Sequence, residues 1–367
     1  MTMPLARKHR LTVYFLIALA ICFFTVLSLM LKINFINNHS FQDLINISST
    51  RHHILSPDEV KYVFWYARES DRLTEFFESF DFVNISTNFW GYIIGYLALV
   101  FGDIYYIYSL NVFICVLFLL STYKVLRAIC HNRSDALVYF SVIALNPILI
   151  ALSVSFLRDL FILLVVNLLI ISVVKRKYIL LFVCSVLIFF TRNFYLVFLF
   201  PLLVLLYNLN SSNINKIKTR FIATSVITFL LLSFLIYIRS AASGLDTNFY
   251  TFIALFLEVA VGLKYSILNF STYSNGSLPY YLDISSSLYN FMVMLLLYCL
   301  IFIKRKIPFG YLAFLLFAFS LSYVYGDYLG FFAARNKYVL YILLCYLMAI
   351  FSSRNKDESY FFKADLK

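Results

Sequence analysis

The sequence predicts an all-α, polytopic membrane protein of about ten transmembrane helices, with interfacial helices in its first external loop. Three observations carry this. The 367 residues are 62% hydrophobic and 20% aromatic, and only 13% are charged. The mean hydropathy is +0.86, well above an ordinary soluble domain, which is roughly 45–50% apolar. The third observation is arrangement. Apolar runs near the spanning length of ~20 residues recur along the chain. They are continuous, whereas the strands of an outer-membrane barrel alternate apolar and polar residues.

A net charge of +12 would suit a nucleic-acid partner. The positions of the basic residues argue otherwise, because they gather in short stretches between apolar runs. Arg7, Lys8 and Arg10 precede the first run. Lys124, Arg127 and Arg133 form a second group, and Lys175, Arg176 and Lys177 a third. Lys216, Lys218 and Arg220 follow, then Lys304, Arg305 and Lys306, and finally Arg354, Lys356, Lys363 and Lys367. This is the positive-inside pattern, and it sets orientation.

With those groups cytoplasmic, the elements fall into order. The first span covers about 11–33 and is read as uncleaved, with no small-residue cleavage site behind it. Residues 34–104 form the first external loop. Span two is about 105–127, span three about 136–156 and span four about 160–174. Span five is about 178–191, span six about 194–210 and span seven about 221–238. A second external segment covers 239–285. Spans eight to ten lie at about 286–303, 308–325 and 338–352. Residues 1–352 thus make a single transmembrane domain, and 353–367 a cytoplasmic tail. Both termini are cytoplasmic.

Two apolar stretches are kept out of this set. Asn88 to Gly102 is short for a span, and making it cross would put Lys124, Arg127 and Arg133 outside. It is expected to lie as a helix at the outer interface, where Trp90, Tyr92 and Tyr96 suit the depth. Tyr250 to Tyr265, with Glu258 and Lys264 inside it, is read the same way. The six cysteines lie in spans or a cytoplasmic loop without metal-ligand spacing, so they read as small apolar residues. No metal and no cofactor is expected.

The remaining charges mark a site. Asp58 and Glu59 sit in the first external loop, followed by Tyr62. Arg158 and Asp159 end the third span, and Arg192 with Asn193 ends the fifth. Arg335 and Lys337 precede the last. In the predicted topology all of them lie at the outer face, where charges beside apolar helices face a cavity or a partner. Each also has a plainer reading. Pro57 before two acids makes a good helix start. Arg158-Asp159 suits a paired span end, Arg192 can snorkel, and Arg335 and Lys337 can anchor at the interface. Taken together, acids beside guanidiniums suit a lipid phosphate carrying a reactive head group. The cations would hold phosphate oxygens and stabilise charge on the leaving group. A carboxylate would take a proton from an attacking hydroxyl. Trp65, Tyr66, Trp90 and Tyr280 are available to stack on sugar rings.

The serial order of these features resembles the GT-C superfamily of polyprenyl-phosphate-sugar glycosyltransferases, which includes aminoarabinose transferases and protein mannosyltransferases. The acidic first-loop motif matches Pro57-Asp58-Glu59-Val60-Lys61-Tyr62. Phe89-Trp90-Gly91-Tyr92 through Phe101-Gly102 matches the amphipathic segment after it, and Tyr123-Lys124-Val125-Leu126-Arg127 the basic span end. Asn146-Pro147 through Arg158-Asp159 matches the span with a proline and a second acid. Arg192 and Ala334-Arg335-Asn336-Lys337-Tyr338 match the later basic positions. The resemblance implies catalytic roles for Asp58, Glu59 and Asp159, and substrate binding by Tyr62, Arg158, Arg192, Asn193, Arg335 and Lys337. It implies a polyprenyl-phosphate-linked sugar donor, a carbohydrate or glycolipid acceptor, and a bacterial inner-membrane enzyme with a periplasmic site. Arg158-Asp159 followed by an apolar span is also similar to bacterial repeat-unit polymerases of surface polysaccharide. A lipid-linked sugar flippase or transporter is the expectation from another class. It calls for broken helices and polar residues at mid-depth.

Overall fold

In the computed structural model the described residues lie within 5–38, 90–100, 104–155, 158–207, 219–230, 288–295 and 334–353. Among them every regular element is a helix, and there is no strand. Eight helices carry the fold: α1 (Leu5–Asn37), α2 (Ile104–Ile129), α3 (Arg133–Ala144), α4 (Pro147–Ser153), α5 (Asp159–Val174), α6 (Tyr178–Arg192), α7 (Phe194–Tyr207) and α8 (Ala334–Ser353). The described positions of 90–100 are helical too, as expected for the first-loop segment.

α2 has 26 residues, and Arg127 in its last turn complements the helix dipole. Its stretch Tyr108–Ile129 is the one described helix long and apolar enough to cross a membrane. α5 and α6 are apolar but have 16 and 15 residues, about 24 and 22 Å of helix, short of a hydrocarbon core of ~30 Å.

The expected third span is broken. α3 stops at Ala144 and α4 starts at Pro147. The proline ring forces the residue before it out of helical geometry, and Asn146 has extended backbone, φ −67° and ψ 124°. Its side chain then caps the new helix, accepting from the Ile148 N–H at 3.1 Å. The interruption therefore follows from two adjacent residues.

α5 is the core element. It packs against α2, α6, α7, α4 and α8, and its buried residues run round the helix from Leu160 to Val173. A helix apolar on all sides must be surrounded. A sharp turn follows it. The Lys177 N–H donates to Ser172 O at 2.8 Å and the Arg176 N–H to Val173 O at 3.2 Å. This is a Schellman motif with Arg176 at the left-handed position, φ 54°.

α2 and α5 run in the same direction. Asn111, near the start of α2, bonds the turn that leads into α5. Ser121 and Thr122, further along α2, bond Asn167 halfway down α5. Lys124, Arg127, Arg133 and Lys175 to Lys177 therefore share one end of the bundle. Leu152 to Ser155 and the start of α5 lie at the other.

Candidate functional site

The turn between α4 and α5 is built by residues from two other helices. α4 leaves carbonyls unsatisfied at its C-terminus, as any helix does. Asn111 takes two of them, at Leu152 and Ser153, and one carbonyl of the turn beyond. Its amide donates to Leu152 O at 2.7 Å, Ser153 O at 3.0 Å and Ser155 O at 2.8 Å. Lys32 of α1 takes another: its ammonium donates to Val154 O at 2.8 Å and to Ser155 Oγ at 3.0 Å. It also lies over the Tyr108 ring, 5.7 Å from the centroid. Thr25 Oγ1 meets Ser153 Oγ at 3.2 Å.

Lys32 is only 4% exposed. Burying an ammonium costs several kcal/mol unless it is bonded. The carbonyl end of α4 carries partial negative charge, which offsets that cost. The result is a cation locked beside the segment that delivers Arg158 and Asp159.

Arg158 occupies the N-cap position of α5, its side chain making no cap bond, and is half-buried. Its Nη1 donates to Thr191 O at 3.2 Å. The bond ties the start of α5 to the end of α6, so Arg192, the last residue of α6, sits at the same end of the bundle as Asp159. Asp159 is 1% exposed and lies in the first turn of α5, where a carboxylate suits the helix dipole. Phe161, just beyond it, stacks on Trp90 with ring centroids 5.0 Å apart. Trp90 is 5% exposed. Its ring is taken up by this packing rather than offered to a sugar.

Arg335 and Lys337 fall in the first turn of α8, not in a loop before it. Tyr338 fixes that end, donating to Ile143 O at 2.8 Å beside the α3–α4 break. The side chains of Arg192, Arg335 and Lys337 lie outside the described residues, as do Asp58, Glu59, Tyr62 and Asn193 altogether. The structure thus brings together Arg158, Asp159 and the backbone of Arg192. Among the described residues no group of three His, Cys, Asp or Glu gathers as a metal site.

Family models, curated proteins and solved structures give no match to this chain. What it does has to be read from its own residues.

Two features escaped the reading of sequence. The span expected over about 11–33 runs through Lys32, although a lysine in an apolar run is itself a signal. The second is a polar knot in the middle of the bundle. Asn167 Nδ2 donates to Ser121 Oγ and Thr122 Oγ1, both at 2.9 Å. Asn167 Oδ1 accepts from Tyr346 Oη at 2.6 Å. Three helices, α2, α5 and α8, meet there. The amide has both N–H groups and its oxygen in use, so the knot joins helices rather than opening a polar path.

Proposed function

We propose that the chain is a ten-span inner-membrane glycosyltransferase. It moves a sugar or oligosaccharide from a polyprenyl-phosphate-type carrier to a carbohydrate or glycolipid acceptor at the periplasmic face. One observation carries the reading: Lys32, Asn111, Arg158 and Asp159, from distant stretches of chain, converge at the bundle end opposite the basic turns. A membrane location is supported by large apolar side chains left exposed along whole helices. On α1 these include Leu16, Leu19, Phe23, Leu27 and Met30. A soluble protein rarely leaves so much apolar surface contiguous.

In this reading the acceptor hydroxyl attacks the anomeric carbon and Asp58 accepts its proton. The carbon–oxygen bond to the carrier breaks, and the electron pair leaves with the phosphate. Arg158, Arg192, Arg335 and Lys337 bind the phosphate oxygens as charge grows on them. Glu59 and Tyr62 stand beside the base. Asp159, buried in the first turn of α5 where the helix dipole favours a carboxylate, is the second acid of the site. Direct displacement inverts the anomeric centre.

A second reading has one observation in its favour. The Asn146–Pro147 break is the kind of interrupted helix found in transporters. The self-satisfied Asn167 knot weighs against it. Deletion of the gene, with analysis of lipid-linked sugars, separates the readings. A transferase leaves the loaded carrier accumulating on the periplasmic side, and Asp58→Asn fails to complement although it inserts normally. The expected loss of rate is about 10²–10⁴-fold. Full complementation by Asp58→Asn would overturn the assignment. Surface glycans of single-repeat length would favour the polymerase alternative, and carrier trapped at the cytoplasmic face would favour a flippase.

A further inference from the structure

The turn between α5 and α6 is unusual in its chemistry. Lys175, Arg176 and Lys177 are all exposed. The left-handed position of a Schellman motif is normally glycine, because a Cβ crowds the backbone there. This chain places arginine at φ 54° instead. The Arg176 guanidinium lies over the ring of Tyr207, 5.8 Å from its centroid, at the end of α7. That contact aims the charge along the bundle end instead of leaving it to wander.

Directly after the turn, α6 presents an apolar stripe. Tyr178, Ile179, Phe182 and Val183 are all exposed, Ile179 by 85% and Phe182 by 69%. Positions i, i+1, i+4 and i+5 share one face of a helix. Three cations thus cap an open apolar strip. A phospholipid has the matching order, with a charged head above acyl chains.

We propose that this turn and stripe bind an anionic phospholipid, with the phosphodiester held by Lys175, Arg176 and Lys177 and an acyl chain lying along Tyr178, Ile179 and Phe182. The site lies at the opposite end of the bundle from Arg158 and Asp159. It rests on the membrane placement proposed above but not on the sugar-transfer chemistry. Lys124, Arg127 and Arg133 share the same end and add to the positive field.

The test uses the full chain in lipid nanodiscs of phosphatidylcholine, with or without phosphatidylglycerol. Bound phosphatidylglycerol is counted by native mass spectrometry. Arg176→Gly is the decisive variant, since glycine relieves the backbone conformation and does not threaten folding. It should lower phosphatidylglycerol affinity about fivefold, and the Lys175→Gln, Lys177→Gln pair about twenty-fold, with thermal stability kept. Unchanged phosphatidylglycerol retention in these variants would overturn the proposal, and would point to an acidic protein partner for the turn. Flotation with vesicles distinguishes the two levels. A chain that floats with both vesicle types but shows no preference for phosphatidylglycerol refutes the site alone. A chain that floats with neither refutes the membrane placement beneath it.

Discussion

Asn167→Ala tests how the bundle is held. The wild-type side chain makes three short interhelical bonds, to Ser121, Thr122 and Tyr346. Interhelical hydrogen bonds in bilayers average about 0.6 kcal/mol, with a maximum near 1.7. Three average bonds give about 2 kcal/mol, and the Tyr346 hydroxyl losing its acceptor adds about 1. The expected destabilisation is therefore about 2–3 kcal/mol. It is read by titrating SDS into mixed micelles and following helix content by circular dichroism. Tyr346→Phe supplies the second arm of a cycle. Once Asn167 is gone, removing the Tyr346 hydroxyl removes a group that has already lost its 2.6 Å bond. The double variant should be less destabilised than the sum of the singles by about 1 kcal/mol. Independent sites add to within about 0.3–0.5 kcal/mol. Additivity within that margin would mean that the 2.6 Å bond contributes nothing and that α8 is held by apolar packing alone.

Three further outcomes concern Lys32 and two cysteines. Lys32→Met keeps the stem but removes the donor to Val154 O and Ser155 Oγ; it should cost about 1–3 kcal/mol in the same titration, with Lys32→Arg closer to wild type, and an unaltered midpoint would show that the ammonium does not hold this turn. Cysteine labelling probes both ends of the accessibility range. Burial, reinforced by Asp135 and opposed by Arg127, pushes the Cys130 thiol from 9.0 up to about 12. The folded protein thus holds this proton more tightly than the unfolded chain. The associated stability is complete below pH 9 and is lost as pH rises toward 12. At pH 8 Cys130 should resist maleimide until the protein unfolds, and rapid labelling of the folded state would contradict its packing. Cys22 is exposed, on the open apolar side of α1. In nanodiscs a polar maleimide should leave it unlabelled, because lipid rather than water covers that face; fast reaction there would count against a membrane-embedded α1.

The proposed likeness to GT-C enzymes rests on an order of motifs, and the residues that anchor it, Asp58, Glu59 and Tyr62, lie outside the described residues. The helices were legible from the chain alone. Apolar runs bounded by basic turns located α2, α5, α6 and α7 to within a few residues, because long helices in apolar surroundings need little beyond composition and length. The break at Asn146–Pro147 is present in two letters, yet it falls inside the span expected over about 136–156. Whether a proline kinks a helix or ends it depends on what meets the freed backbone groups, and here Asn146 caps one side while Asn111 and Lys32 hold the far end.

Sequence by itself determined that the described residues are helical and which residue types punctuate them, since both depend on local pattern. It also marked Arg158-Asp159 and Arg192 as charges out of place. Only the tertiary structure decided which partners those charges and the buried polar groups acquire. Lys32 and Ser155 are separated by 123 positions, and Asn167 and Tyr346 by 179. A hydrogen bond acts over about 3 Å, and no local pattern says which distant groups will come that close.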